Sequence, residues 1–169
     1  MLNKITPRTY YLLGFFICLS LLTGAFFLQA YDALAPCPLC ELQRIVFALL
    51  GIIFLIAALQ NPQYWGVKIY GYLLFLVAIV GGGVALKQLW LQYSPQMPSQ
   101  TCAAGVEYIL KTLPLLQAFR TLLQGSGDCA KQTWEAFGLS LPAWAFIGFC
   151  FLGFLSIWQN FRVSKSYGE

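Results

Sequence analysis

Four long apolar runs, separated by clusters of polar residues, organise the chain. They occupy approximately residues 10–29, 43–60, 68–86 and 142–161. A helix needs about 20 mostly apolar residues to cross the hydrocarbon core of a bilayer, so this pattern predicts four membrane-spanning helices. The uncharged part of the second run extends only from Ile45 to Leu59, and we expect that helix to gain length at its ends. The first run is too long for the apolar core of a cleaved signal peptide.

The predicted architecture is an all-α membrane protein, a four-helix transmembrane bundle that forms a single integral membrane domain over residues 1–169. With four spans, the loops at 30–42 and 87–141 lie on one side of the membrane and both termini lie on the other. Within the long loop between the third and fourth helices, apolar residues recur at roughly helical spacing over 106–123. We expect a short helix on the membrane surface there; a lid packed over the bundle is a compatible alternative.

The composition supports a membrane protein and narrows its chemistry. Charged residues make up 9% of the chain and hydrophobic residues 59%, whereas a soluble domain carries about 25% charged residues. A soluble chain of this size could not bury so much apolar surface. The chain has no histidine, which excludes imidazole ligands for haem or zinc and a Ser-His triad. The net charge of +4 gives no reason to expect nucleic acid as a partner, so any chemistry is expected from the cysteines.

Basic residues favour one orientation of the bundle. Each side of the membrane carries five of them, so the argument depends on the short segments next to the spans, where the positive-inside rule applies. The loop at 30–38 has no basic residue, whereas Lys4, Arg8, Lys68 and Arg162 lie on the side of the termini. We therefore expect cytoplasmic N- and C-termini and cysteine-bearing loops in the oxidising periplasm or its equivalent.

The cysteines divide by position into two groups. Cys18 and Cys150 fall inside the first and fourth runs, where a thiol behaves as a small, unreactive apolar group. The others lie in the two loops that share a side: Cys37, Cys40, Cys102 and Cys129. These loop cysteines therefore face one compartment whichever way the bundle is oriented.

Cys37 and Cys40 form a C-x-x-C motif. A zinc site would need a second pair at similar spacing, which Cys102 and Cys129 do not form. Covalent haem needs a histidine next to the motif, and residue 41 is glutamate. A structural disulfide is the main alternative, but a bridge across so few residues constrains the unfolded chain little. Because short, exposed disulfides tend to be labile, the motif favours thiol–disulfide exchange.

The surroundings of Cys40 strengthen this interpretation. Cys40 lies near the expected start of the second helix, where the helix dipole stabilises a thiolate. Arg44 follows four residues later, on the same helix face. A guanidinium at the membrane edge is costly without a role. It either anchors the helix at the headgroups or favours the thiolate of Cys40 and donates hydrogen bonds to a polar ligand.

Two groups of cysteines on one side of a membrane suggest an electron relay, because thiol–disulfide exchange passes electron pairs from thiolate to thiolate. A reduced protein would meet Cys102 and Cys129 on the long loop, and the electrons would pass to Cys37 and Cys40 at the membrane edge. The sequence carries no flavin, haem or metal signature, so a lipid-soluble quinone is the simplest acceptor. The residues alone leave the pairing of these cysteines open.

These motifs resemble the DsbB family, the disulfide bond formation proteins of bacterial inner membranes. The resemblance covers nearly the whole chain. It rests on Pro36-Cys37-Pro38-Leu39-Cys40 followed by Arg44, on Pro98 before Cys102, on Gly127-Asp128-Cys129-Ala130, and on Trp134-x-x-Phe137-Gly138-Leu139-x-Leu141-Pro142-x-Trp144.

The resemblance implies a protein dithiol:quinone oxidoreductase with disulfides Cys37–Cys40 and Cys102–Cys129. The second disulfide would oxidise a reduced, periplasmic, DsbA-like thioredoxin-fold oxidase through a mixed disulfide at Cys102. Cys129 would then engage Cys37, and Cys40 would be freed as a thiolate beside ubiquinone or menaquinone. Arg44 matches the family arginine that assists the quinone. The resemblance implies no metal, haem or flavin.

Two further positions are compared with the family. Gln29, eight residues before the first loop cysteine, matches a glutamine in a relative and is a candidate quinone-binding residue. Some relatives have a histidine near the outer end of the third span, where this chain reads Lys87-Gln88-Leu89-Trp90, so no histidine role in quinone protonation is carried over. In the same span, Gly81-Gly82-Gly83 predicts close helix packing, with a flat ring lying against it as the alternative.

Two other functions stay open at the level of sequence. The loop disulfides could be structural staples in a four-span scaffold or transporter subunit. Quinone reduction of the kind performed by vitamin K epoxide reductases also uses a C-x-x-C beside a four-helix bundle, but the loop pattern here fits that family poorly. Partner oxidation that depends on quinone and on Cys40 would distinguish the relay from both.

Overall fold

Four long helices dominate the part of the chain that the structure describes. The computed structural model describes residues 7–32, 38–93, 114, 117, 135–136 and 138–166. The helices are α1 (Pro7–Asp32), α2 (Pro38–Gln60), α3 (Tyr64–Tyr93) and α4 (Leu141–Ser166). Each contains a stretch of 22 to 29 residues that is long and apolar enough to cross a membrane. The predicted all-α bundle of four membrane-spanning helices is confirmed.

The ends of α2 follow from local sequence. The helix begins at Pro38, whose fixed φ suits a first helical residue, and this early start gives the shortest apolar run a helix of 23 residues. At its other end, Asn61 adopts a left-handed conformation with φ of 43°, and its N–H donates to the Ala57 carbonyl over 3.1 Å. Asparagine tolerates this cap geometry. Residues 61–63 then lead directly into α3, so α2 and α3 form a tight helical hairpin.

The helices pack in chain order, α1 on α2, α2 on α3 and α3 on α4. The middle of the bundle is an aromatic layer in which the rings of Phe47 and Phe149 stack, with centroids 3.9 Å apart and planes inclined by 9°. The ring of Phe149 lies against Gly81, where an added Cβ would overlap it. The predicted close packing at this glycine is confirmed, and the flat ring against it belongs to α4.

The outer surface of the helices is apolar, as a lipid-facing surface must be. Large side chains such as Phe16, Leu76 and Phe154 are each about 60% exposed. Cys18 is buried in the core and Cys150 is exposed on α4. Both intramembrane thiols therefore lie on helices, away from the polar ends of the bundle.

A short β-hairpin precedes α4, which the sequence analysis did not predict. Strands β1 (Glu135–Ala136) and β2 (Leu139–Ser140) pair antiparallel, with Glu135 opposite Ser140. Gly138 has φ of 75°, a conformation that glycine adopts readily in hairpin turns. Strands of two residues are too short to show an alternating pattern, so only the glycine could have signalled this turn.

The predicted surface helix over 106–123 lies outside the described residues, except for Pro114 and Gln117. The N–H of Gln117 donates to the Pro114 carbonyl over 2.8 Å. This single bond spans three residues and does not by itself establish the expected helix.

Candidate redox site

The chain alternates direction through the bundle, so two polar ends are distinguished. At the cysteine end, α1 and α3 finish and α2 and α4 begin; at the termini end, α1 begins and α4 finishes. Cys40 lies in the first turn of α2 and is partly buried. The sulfur therefore sits at the N-terminus of a membrane-spanning helix, where the dipole favours negative charge.

Cys40 is contacted by Gln88, one member of a buried pair of glutamine side chains. Gln88 of α3 donates from Nε2 to the sulfur of Cys40 over 2.9 Å. Gln43 of α2 donates from Nε2 to Oε1 of Gln88 over 2.8 Å. Gln88 is 0% exposed and Gln43 5% exposed. Around them lies a small apolar cluster formed by Leu39, Val84 and Leu91. A chain of hydrogen bonds thus joins α2 and α3 at the sulfur.

Arg44 extends to the other side of α2. Its Nη1 donates to Oε1 of Gln29, and its Nη2 donates to the Ala25 carbonyl over 3.0 Å. The guanidinium carbon also lies 4.9 Å from the centroid of the Phe26 ring, within range of a cation–π interaction. Helix α1 therefore fixes the guanidinium through two hydrogen bonds and one aromatic face.

The two candidate residues of α2 consequently contact different neighbouring helices. Cys40 and Arg44 are one turn apart, but the sulfur accepts from α3 whereas the guanidinium donates to α1. An influence of Arg44 on the Cys40 thiolate stays a prediction. The structure instead supplies Gln88 as a donor to that sulfur, a residue that the sequence analysis did not consider.

The structure joins two of the predicted site residues, Arg44 and Gln29, by a hydrogen bond, and it places Cys40 one turn from Arg44 on α2. The predicted redox residues Cys37, Cys102 and Cys129 lie outside the described residues. Within the described ranges, no cluster of three or more Cys, Asp or Glu side chains could hold a metal ion.

Sequence reasoning missed Gln43 and Gln88. Their signal was present, because an amide inside an apolar helix is costly unless it is hydrogen-bonded. The missing information was which helix supplies the partner.

The fold and the site together define a class of protein. It is a multi-pass membrane protein of four helices, with a cysteine held by polar contacts at the start of a spanning helix and an arginine one turn further along. This arrangement is suited to thiol chemistry at the edge of a membrane.

Comparisons with known proteins specify the class. The family described as disulfide bond formation protein DsbB matches residues 7–159. The chain is 37% identical to a disulfide bond formation protein B of Nitrosococcus oceani over 98% of both chains. It is 42% identical to the protein of that name from Methylobacillus flagellatus, over 96% of this chain and 98% of the relative. It is 40% identical to disulfide bond formation protein B 1 of Pseudomonas aeruginosa, over 93% of this chain and 96% of the relative.

The chain belongs to the DsbB family. The resemblance seen in the cysteine motifs is confirmed, and the protein is a disulfide-forming oxidoreductase of a multi-pass membrane type. The alignments extend over nearly the full length of the relatives, so they cover the loops as well as the helices.

Proposed function

We propose that the protein is a quinone-dependent protein disulfide oxidoreductase. It reoxidises a periplasmic, DsbA-like dithiol oxidase and passes the electrons to ubiquinone or menaquinone in the membrane. The observation that carries this proposal is the juxtaposition of Cys40 and Arg44, one turn apart at the end of a spanning helix, each held by a different neighbouring helix.

Electrons and protons balance over two thiol–disulfide exchange steps followed by the reduction of one quinone. The partner dithiol becomes a disulfide as the Cys102–Cys129 disulfide is reduced, and the resulting dithiol then reduces the Cys37–Cys40 disulfide. A quinone, when bound, takes up the electron pair and the two protons and leaves as quinol. No residue is consumed, so the chain returns to its starting state.

Arg44 is proposed to hold the quinone. Its guanidinium is a rigid, permanently charged set of donors, suited to a carbonyl oxygen that gains negative charge on reduction. The Phe26 ring that lies over the guanidinium is 59% exposed, and Arg44 itself is only partly buried, so a flat apolar molecule in the bilayer could lie beside both. The donor type and its access fit a quinone headgroup.

Gln29 is proposed as a positioning residue for the quinone-binding arginine. Its Oε1 accepts from Arg44 Nη1, which leaves the Gln29 carbonyl committed to the guanidinium. Together with the Ala25 carbonyl, it holds the plane of the guanidinium in one orientation. This role differs from the direct quinone contact that the sequence resemblance suggested.

Turnover by purified protein tests the proposal. The protein in liposomes should oxidise a reduced thioredoxin-fold partner when the membrane contains quinone and not when quinone is omitted. Cys40→Ser should abolish this activity because it removes the thiolate that faces the acceptor. Cys150→Ser is the matched control and should be fully active, since Cys150 lies exposed on α4. Normal quinone-dependent turnover by Cys40→Ser would refute the relay. If the unmodified protein is folded but oxidises no partner with or without quinone, the scaffold alternative is favoured.

The proposed orientation places the termini in the cytoplasm and the cysteine end toward the periplasm. After reduction of intact cells, a membrane-impermeant thiol reagent should label Cys40 from outside. The labelled chain keeps Cys40 as its single loop cysteine and has serine in place of Cys150, so that any label can be assigned to Cys40. Labelling that requires disruption of the cytoplasmic membrane would invert the orientation.

A further inference from the structure

The amide groups of the buried glutamine pair at Cys40 are oriented so that a donor, and not an acceptor, faces the sulfur. An amide side chain has a donor end and an acceptor end. Because the Nε2 of Gln43 donates to Oε1 of Gln88, the oxygen of Gln88 is turned toward Gln43. Its Nε2 is thereby turned toward the sulfur of Cys40, 2.9 Å away. With the Gln88 amide alone reversed and Gln43 unchanged, two donors would face one another and an oxygen would face the sulfur.

The burial of this pair makes the direction consequential. Both side chains are at least 95% buried, at 0% and 5% exposure, beside the apolar side chains of Leu39, Val84 and Leu91. Water therefore competes little with the amide–sulfur bond, and a hydrogen bond in such surroundings is electrostatically stronger than one in water. A donor aimed at sulfur favours the form of the sulfur with the greatest negative charge, which is the thiolate.

We propose that Gln88 is a positioning residue for the redox sulfur and that Gln43 acts through it. Gln88 directs an N–H at Cys40, stabilises its thiolate and fixes the direction of the sulfur relative to α3. Gln43 contributes by keeping the Gln88 amide in the donating orientation. This inference rests on the proposed function only in taking Cys40 as the sulfur that is released as a thiolate.

The test measures the reactivity of Cys40 without partner or quinone. The full chain carries serine at every other loop cysteine and at Cys150, and the rate of alkylation by iodoacetamide is followed at pH 7. Gln88→Met, which retains the length of the side chain but has no donor, should lower the rate by about tenfold, as expected for loss of a hydrogen bond to a charged group. An unchanged rate in folded Gln88→Met protein would overturn the proposal.

A double-mutant cycle tests the steering role of Gln43. Gln43→Met should lower the rate about twofold to fivefold, because an unsteered amide spends part of its time reversed. In the Gln88→Met background the same substitution should have no further effect, since Gln43 acts through Gln88. Fully additive effects in the double variant would overturn the steering role.

A buried glutamine at the opposite end of the bundle provides the matched control. Gln159 is 6% exposed and donates to the Pro7 carbonyl, so Gln159→Met removes a comparable buried amide far from the sulfur. Its alkylation rate should equal that of the parent chain. A fall as large as that of Gln88→Met would show a general loosening of the bundle and would overturn the proposal. If Gln88→Met lowers alkylation while the wild-type chain shows no quinone-dependent turnover, the proposed function fails and this inference stands.

Discussion

The two ends of the bundle contain similar polar components and use them differently. At the cysteine end, an arginine, an aromatic ring and a glutamine meet in Arg44, Phe26 and Gln29. At the termini end, Arg162 donates from Nη1 to the hydroxyl of Tyr10 over 2.6 Å and lies 5.7 Å from its ring. Each arginine thus lies over an aromatic side chain of α1.

The acceptors distinguish the two ends. At the termini end the donors finish on oxygen atoms, namely the Pro7 carbonyl, which accepts from Gln159 over 3.4 Å, and the Tyr10 hydroxyl, which accepts from Arg162. At the cysteine end a buried amide finishes on the sulfur of Cys40, which in the proposed reaction is released as a thiolate. Similar contacts therefore join helices at one end and, at the other, end on the sulfur that the proposed function makes reactive.

Removal of the two arginines is the strongest way to break this comparison. Arg44→Ala should raise the KM for quinone about tenfold to a hundredfold, because it removes a hydrogen bond from a charged donor worth about 1.5–3 kcal/mol. Arg162→Ala should leave that KM unchanged and lower the thermal stability. Steady-state kinetics at varied quinone concentration measure the first effect. A loss of exchange between the cysteine pairs with normal quinone dependence in Arg44→Ala would contradict the assigned role.

The layer between the two ends can be disturbed without touching either polar site. Gly81→Ala places a Cβ against the Phe149 ring and should cost about 1–3 kcal/mol of unfolding free energy through overpacking. Gly83→Ala is the matched control, since a Cβ there meets nothing within 4 Å, and it should be neutral or stabilising by up to about 1 kcal/mol. Unfolding in detergent measures both. Equal stabilities of the two variants would disprove the tight contact at Gly81.

Loss of the glutamine that orients Arg44 should have the smallest effect. Gln29→Leu removes the acceptor for Nη1 but leaves the Ala25 carbonyl as a second fixing point. We expect the KM for quinone to rise about threefold to tenfold, with kcat for partner oxidation nearly unchanged. Kinetics of Gln29→Leu and of the double variant with Arg44→Ala measure this. If Gln29→Leu still raises KM when Arg44 is absent, Gln29 contacts the quinone directly and not through Arg44.

The sequence was sufficient for the helices because long apolar runs leave few alternatives in a bilayer. It was also sufficient to single out Cys40 and Arg44, whose spacing fixes them one turn apart on α2. It was insufficient to assign a role to Gln88, because that role depends on a hydrogen-bond partner, Cys40, that lies 48 positions away along the chain. Intrahelical spacing likewise could not reveal that Arg44 turns to α1, since that choice depends on which helices become neighbours.

The tight connection at residues 61–63 has a mechanical consequence for the sulfur at the far end of α2. The helix has 23 residues, which makes an arm of about 35 Å at 1.5 Å per residue. A change of about 2° in the angle between α2 and α3 at the Asn61 turn would displace the first turn of α2 by about 1.2 Å over an arm of that length. Such a displacement is enough to separate Cys40 from Gln88. The angle that the left-handed Asn61 sets between α2 and α3 at one face of the membrane thus controls the Cys40–Gln88 distance at the opposite face.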